Sequence, residues 1–162
     1  MQWRLMTEAD LAGVVGLSAA VHPGYPESPS VFAACLRLHP TGCHVLDMGE
    51  RRIGGYLLSH PGRLDAPPAL DAPLAALPAP CDCYYLHDLA LGQAARGHGK
   101  AGAAVEIAIA EARRGGFDTL ALIAVGEAHG FWRRQGFALL GDGRVDRAKG
   151  YGTEARALVR KI

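Results

Sequence analysis

Seven consecutive residues, Arg96-Gly97-His98-Gly99-Lys100-Ala101-Gly102, place three glycines and two cations between a stretch that reads as a strand and one that reads as a helix. Free N–H groups at a helix start, the positive end of the helix dipole and glycines that allow close approach together favour an anion the size of a phosphate or pyrophosphate. Arg96 and Lys100 can add charge. A glycine-rich connection with no ligand is the plain alternative. Read literally, Gly97-x-Gly99-x-x-Gly102 matches the dinucleotide fingerprint, with Glu127 at the end of the next strand. A doubly wound nucleotide domain would begin its first βαβ unit near the N-terminus, however, and here more than eighty residues precede the loop. The Walker pattern fails because Ala101 follows Lys100. Cys81-x-Cys83, with His87 nearby, is too tightly spaced for a zinc knuckle, so the four cysteines are expected to be ordinary reduced thiols and no metal site is expected.

The elements that must hold this loop can be read from periodicity and breakers. Gln2 to Leu5 reads as a strand, and Thr7 with Asp10 opens a helix whose apolar face runs through Leu11, Val14, Val15 and Leu17 to about Ala20. Three prolines between His22 and Pro29 end it. Ser28 or Ser30 caps a second helix to Leu38. Cys43 to Met48 and Arg51 to Ser59 form a hairpin turning at Gly49-Glu50. Pro61 to Pro80 holds six of the ten prolines and is expected to be a long, stiff surface connection, either a binding loop or a linker-like insertion. Cys83 to Leu91, Gly99 to Gly115 and Asp118 to Val125 then form a strand-helix-strand unit of the parallel kind. Ala101, Val105, Ala108, Ile109 and Ala112 make the buried stripe of its helix. A short helix from Glu127 to Gln135, closed by Gly136, leads into a strand from Phe137 to Leu140, and a last strand spans about Arg156 to Lys161.

With 162 residues the chain suits a single domain, 1–162, large enough to bury a core unaided. Seventeen basic against sixteen acidic residues leave a net charge of +1, which excludes a bulk electrostatic hold on nucleic acid or an anionic membrane. No apolar run reaches the length of a membrane span and the N-terminal residues do not read as a signal peptide, so a cytoplasmic location is expected.

Arg96-x-x-Gly99-x-Ala101 after a strand, followed by Phe131-Trp132-Arg133-Arg134-Gln135-Gly136-Phe137 with 136 − 99 = 37 positions from glycine to glycine, resembles the GCN5-related N-acetyltransferase (GNAT) family at both of its best-known motifs. The resemblance extends over most of the chain. It implies a mixed α/β fold: a mostly antiparallel sheet of six to seven strands, about four helices and a parallel βαβ core. It also implies an acyltransferase that passes the acetyl group of acetyl-CoA to a primary amine of a small molecule or peptide, by direct attack in a ternary complex. In the family the loop equivalent to Arg96, Gly97, His98, Gly99, Lys100, Ala101 and Gly102 wraps the cofactor pyrophosphate. The strand through Leu89, Ala90 and Leu91 would bond the pantetheine arm by its main chain, and Phe131 would pack beside it, or serve only as a core aromatic.

Amine acetylation needs a free-base nucleophile, a stabilised oxyanion and a departing sulfur. A main-chain N–H of Leu89 or Leu91 can serve the oxyanion. His87 and Asp88 are the nearest candidates for the base, pointing to opposite sheet faces unless a bulge intervenes, and Glu27 is a more distant option. Two positions depart from the family. Trp132 stands where a tyrosine usually protonates the leaving thiolate, so Tyr84, Tyr85 or Tyr151 would substitute, or no acid is needed. Gly126 stands where many members carry an asparagine. A non-catalytic acyl-CoA-binding sensor of the same fold is the alternative that Trp132 motivates. The acceptor side points to Tyr25, Glu27 and the proline-rich segment, and a homodimer is an option.

Overall fold

The computed structural model describes residues 1–162 and folds them around one seven-stranded sheet. The strands are β1 (Gln2–Leu5), β2 (Cys43–Asp47), β3 (Ile53–Gly62), β4 (Cys83–Leu91), β5 (Thr119–Ala124), β6 (Ala138–Leu139) and β7 (Arg156–Lys161), ordered β1-β2-β3-β4-β5-β7-β6. Every neighbouring pair is antiparallel except β4 and β5. The helices α1 (Leu11–Val21) and α2 (Pro29–Leu38) cover one face, and α3 (Lys100–Arg114) with α4 (His129–Arg134) covers the other.

Burial on both faces follows from side-chain alternation. Tyr56, Leu58 and Ala90 pack beneath α1 and α2 against Val14, Phe32 and Cys35, while Leu57, Leu86 and Leu120 meet Val105, Ala108 and Ala112 of α3. Alanines at these α3 positions let the helix lie close to the sheet. The Arg4 guanidinium ties the first helix to the edge strands, bonding both oxygens of Asp10 at 2.8 Å and Asp47 Oδ2 at 2.8 Å. Asp10 also accepts from the Thr7 N–H and hydroxyl, completing the box expected from sequence.

Four expectations are corrected. The hairpin strand begins at Ile53 rather than Arg51, because Gly49, Glu50 and Arg51 all turn with positive φ. The strand also runs beyond Ser59, so Pro61 and Gly62 are paired with Tyr84 and Cys83. Proline is tolerated there because β2 ends opposite Leu58; the Gly62 carbonyl faces β4 and accepts from Asp82, so the Pro61 nitrogen points to the free edge. The expected helix from Glu127 to Gln135 divides into a 3₁₀ turn, Gly126–Ala128, and the six-residue α4, with Gly126 at φ 55°. The strand expected from Phe137 to Leu140 shortens to Ala138–Leu139. No helix is long and apolar enough to cross a membrane.

Candidate active site

Strands β4 and β5 pair only at Tyr84 with Leu120 and Tyr85 with Ala121. Beyond that point β4 continues to Leu91 bonded to β3, and β5 to Ala124 bonded to β7, so their facing edges part. The gap is a cleft of about 690 Å³ reaching Leu89, Leu91, Ala101, Val125 and Phe131. The Gly92 N–H bonds the Gly54 carbonyl of β3, and strand alternation therefore turns the main-chain groups of Leu91 and Leu89 into the cleft. Ala90 faces α1 and α2 instead, buried at 2 % exposure. The Leu91 carbonyl is already taken by Arg96 Nε at 3.1 Å.

At the mouth of the cleft the 96–102 loop enters α3. Gly97 (φ 78°) and Gly99 (φ 70°) sit in left-handed conformations, and a Cβ on either would meet open space. Gly102 has no such backbone demand and stands in the first turn of α3. The first intrahelical bond runs from Ala103 N–H to the Gly99 carbonyl, leaving the N–H groups of Lys100, Ala101 and Gly102 without helical partners beside a groove of about 310 Å³. The Lys100 ammonium is directed away, to the Met1 carbonyl at 3.0 Å, and its own carbonyl accepts from Trp3 Nε1. His98 is exposed, with Nδ1 2.7 Å from the Arg96 carbonyl.

The candidate bases lie deeper. Leu58 pairs with Asp88 and Ser59 with Leu86, so His87 is an extra residue in β4. This bulge suspends the alternation, and His87 and Asp88 share a small chamber of about 60 Å³ with His22, Glu27, Leu70 and Tyr151. His87 Nε2 lies 3.4 Å from Glu27 Oε1, with the two side chains 1 % and 6 % exposed, so the loop carboxylate is no longer remote. His87 Nδ1 lies 3.3 Å from His60 Nε2, and His60 Nδ1 lies 2.8 Å from the Pro61 carbonyl. Asp88 accepts from the Tyr56 hydroxyl at 2.5 Å and sits 3.3 Å from His22 Nε2, off the hydrogen-bonding direction. Burial works against the charged form of His22, but Asp88, with Glu27 behind it, outweighs that and raises its pKa. Cys35 joins the two imidazoles, one ligand-type atom of each lying within 4.8 Å of the others; burial pushes its thiol up. Cys81 Sγ, by contrast, donates to the Pro78 carbonyl.

Tyr56, His22 and His60 were not among the residues singled out from sequence. The signal for Tyr56 lies in register: it is the diagonal cross-strand neighbour of Asp88, readable only once β3 and β4 are aligned. Trp132 is buried in the α3-side core against Phe137, with Phe131 edge-on at 4.8 Å. Tyr84 is likewise buried there, with its hydroxyl at Ser59 and His39. Tyr151 is the tyrosine proposed as acid that lines the chamber, bonded to the Pro68 carbonyl and pushed up by burial. The proline-rich segment folds over the chamber: Leu70 N–H bonds the Lys149 carbonyl and Asp71 accepts from Ser28 N–H.

His60 sets an acid limit on stability. Burial and then the charge of His87 lower its pKa to about 4, against about 6.5 unfolded. The unfolded state therefore binds the extra proton between these values, and stability falls as pH drops through that window. Between pH 7 and pH 5 the expected loss is about 2 kcal/mol, seen in urea titrations and reduced in His60→Gln.

The sequence model of the Acetyltransferase (GNAT) family matches residues 11–137. The chain belongs to that family. No curated protein sequence matches it. Among solved structures, a GNAT-like decarboxylase in complex with isobutyryl-CoA superposes with a TM-score of 0.79 at 18% identity, covering 99% of both chains. The NatC complex bound to Gag peptide and CoA gives 0.75 at 20% identity, covering 99% of this chain and 98% of that one. Ard1 from Thermoplasma volcanium gives 0.74 at 13% identity, covering 99% and 97%. At these identities the likeness concerns the fold.

Proposed function

We propose that the protein is an acetyl-CoA-dependent N-acetyltransferase acting on a primary amine of a small molecule or peptide in a ternary complex. The observation that carries this reading is a succession of three cavities, the first two sharing Leu91, Ala101 and Phe131 and the last two sharing His22, Tyr25 and Val125. The first lies at unpaired α3 N–H groups suited to a pyrophosphate, the next at the main-chain groups of Leu89 and the N–H of Leu91, and the last at the bulge that presents His87 and Asp88. In this reading Arg96 orders the Leu91 end, Gly97, His98, Gly99, Lys100, Ala101 and Gly102 hold the phosphates by their main chain, and Phe131 walls the pantetheine. Ala90 contributes position rather than contact. The N–H of Leu89 is the oxyanion donor.

Relatives in fold include one bound to a peptide and an N-acetylglutamate synthase complexed with coenzyme A and N-acetyl-glutamate, so both acceptor classes fit the fold. The chamber roof, Leu70 with Tyr151, is where this chain would choose. Leu70→Ala is expected to raise the acceptor KM about fivefold while leaving the acetyl-CoA KM within twofold.

The deciding experiment follows thiol release from acetyl-CoA against a panel of primary amines, alongside calorimetry with acetyl-CoA. Saturable turnover of some amines is expected. Binding without turnover would favour the second reading, a non-catalytic acyl-CoA sensor, which the buried Trp132 supports because an indole supplies no proton to a leaving thiolate. Absence of binding would remove both.

A further inference from the structure

We propose that Cys35 of α2, His60 of β3 and His87 of β4 form a buried site for a thiophilic divalent cation of the zinc class, held by one sulfur and two imidazole nitrogens. The site goes beyond the acyl-transfer reading and stands without it. No short motif marks it, because the ligands come from three separate elements, and the tight Cys81-x-Cys83 pair takes no part.

A carbonyl and a carboxylate only accept. The 2.8 Å contact to the Pro61 carbonyl therefore puts the hydrogen of neutral His60 on Nδ1, and the 3.4 Å contact to Glu27 Oε1 puts that of neutral His87 on Nε2. The inner nitrogens, His60 Nε2 and His87 Nδ1, then face each other as lone pairs 3.3 Å apart. Such a pair repels until a cation sits against both. Two nitrogens on one tetrahedral zinc stand about 3.3 Å apart, so the spacing is that of ligands on a common ion. An outer N–H held by a carboxylate or a backbone carbonyl is the support that metal-binding imidazoles receive, and both rings have it.

A proton can also fill the gap, making His87 an imidazolium. The third group favours a metal: Cys35, His60 and His87 each offer one ligand atom, and these atoms lie within 4.8 Å of one another. A shift of about 1 Å by the Cys35 side chain brings its sulfur to tetrahedral distance from both nitrogens. Cys43, the other thiol near it, donates to the His39 carbonyl instead. All three ligand side chains are 1 % exposed. On binding, the S–H bond of Cys35 breaks, its proton leaves to the buffer and the sulfur keeps the electron pair it donates to the ion. The thiolate and the Glu27 carboxylate together cancel the charge of a divalent ion, which burial requires. His87 borders the chamber, which gives the ion its way in. The acid limit that His60 sets on stability belongs to the metal-free chain.

The test titrates the full chain, stripped with chelator, with Zn²⁺ by calorimetry and with Co²⁺ by absorbance. One ion per chain is expected, with a Kd for zinc below about 1 µM and a thiolate-to-cobalt charge-transfer band. Cys35→Ala should abolish that band and weaken zinc binding about 100-fold, and His87→Gln should weaken it comparably. Glu27→Gln keeps all three ligands and should cost about tenfold, so it tests the site even if a ligand variant proves poorly folded by circular dichroism. Cys81→Ala, at the more exposed thiol, should change nothing. Absence of saturable zinc binding by the wild-type chain would overturn the site and leave a proton as the occupant of the gap. A cobalt band that survives Cys35→Ala or vanishes in Cys81→Ala would overturn it too, as would a Kd that Glu27→Gln leaves unaltered. None of these readouts depends on amine turnover, so a failure of the acyl-transfer reading would show separately.

Discussion

Gly99→Val is expected to weaken acetyl-CoA binding by about 50-fold or more, on the order of 2 kcal/mol, in calorimetry of a protein that still folds. Two effects add. At φ 70° a β-branched residue strains the backbone by roughly 1–2 kcal/mol, and the loop would shift to relieve it. Gly99 also lines the groove beside the unpaired α3 N–H groups, so a valine there would add bulk next to where the phosphates would have to lie. Gly16→Ala is the control: a glycine in α1 with no positive φ and open space around it, for which unchanged binding is expected. An unaltered Kd for Gly99→Val would remove this loop from the cofactor site.

Asp10→Ala is expected to lower stability by about 2–3 kcal/mol, a fall in Tm of roughly 6–10 °C. The carboxylate is 9 % exposed, and the Arg4 guanidinium holds it well below the usual carboxylate range. Its loss strips Arg4 of two bonds and Thr7 of two more. The figure sits below that for a fully buried pair because Arg4 is 37 % exposed and keeps Asp47. Thermal melts check it, and a change under about 1 kcal/mol would show the network to be ornamental to stability.

Much of this was legible in the chain. Strands with alternating or unbroken apolar pattern, the α3 stripe and the glycine loop announce themselves locally, because period and breakers are properties of a few neighbouring residues. The last strand, Arg156–Lys161, matched its expected span. The candidate base was legible only in part: His87 and Asp88 could be named, but whether they shared a face depended on a bulge that exists between two strands and in neither alone. Glu27 and His60 reach His87 from 60 and 27 positions away, a proximity set by the tertiary fold rather than by motif. Lys100 shows the opposite failure. Its charge suggested an anion partner, yet folding brought the Met1 carbonyl within reach of its ammonium.

The extra residue in β4 also governs which changes the strand can absorb. Upstream of it Tyr84 and Leu86 face α3, and downstream Leu89 does, an odd spacing of three residues that strict alternation does not give and that the inserted position absorbs. Removing one residue between Leu86 and Leu89 would restore strict alternation, leaving Leu86 and Leu89 toward α3 and the residue between them toward α1. Substitution and deletion at position 87 thus both spare the two packed faces and remove only the imidazole from the chamber, so the extra residue serves the site and not the packing of the sheet.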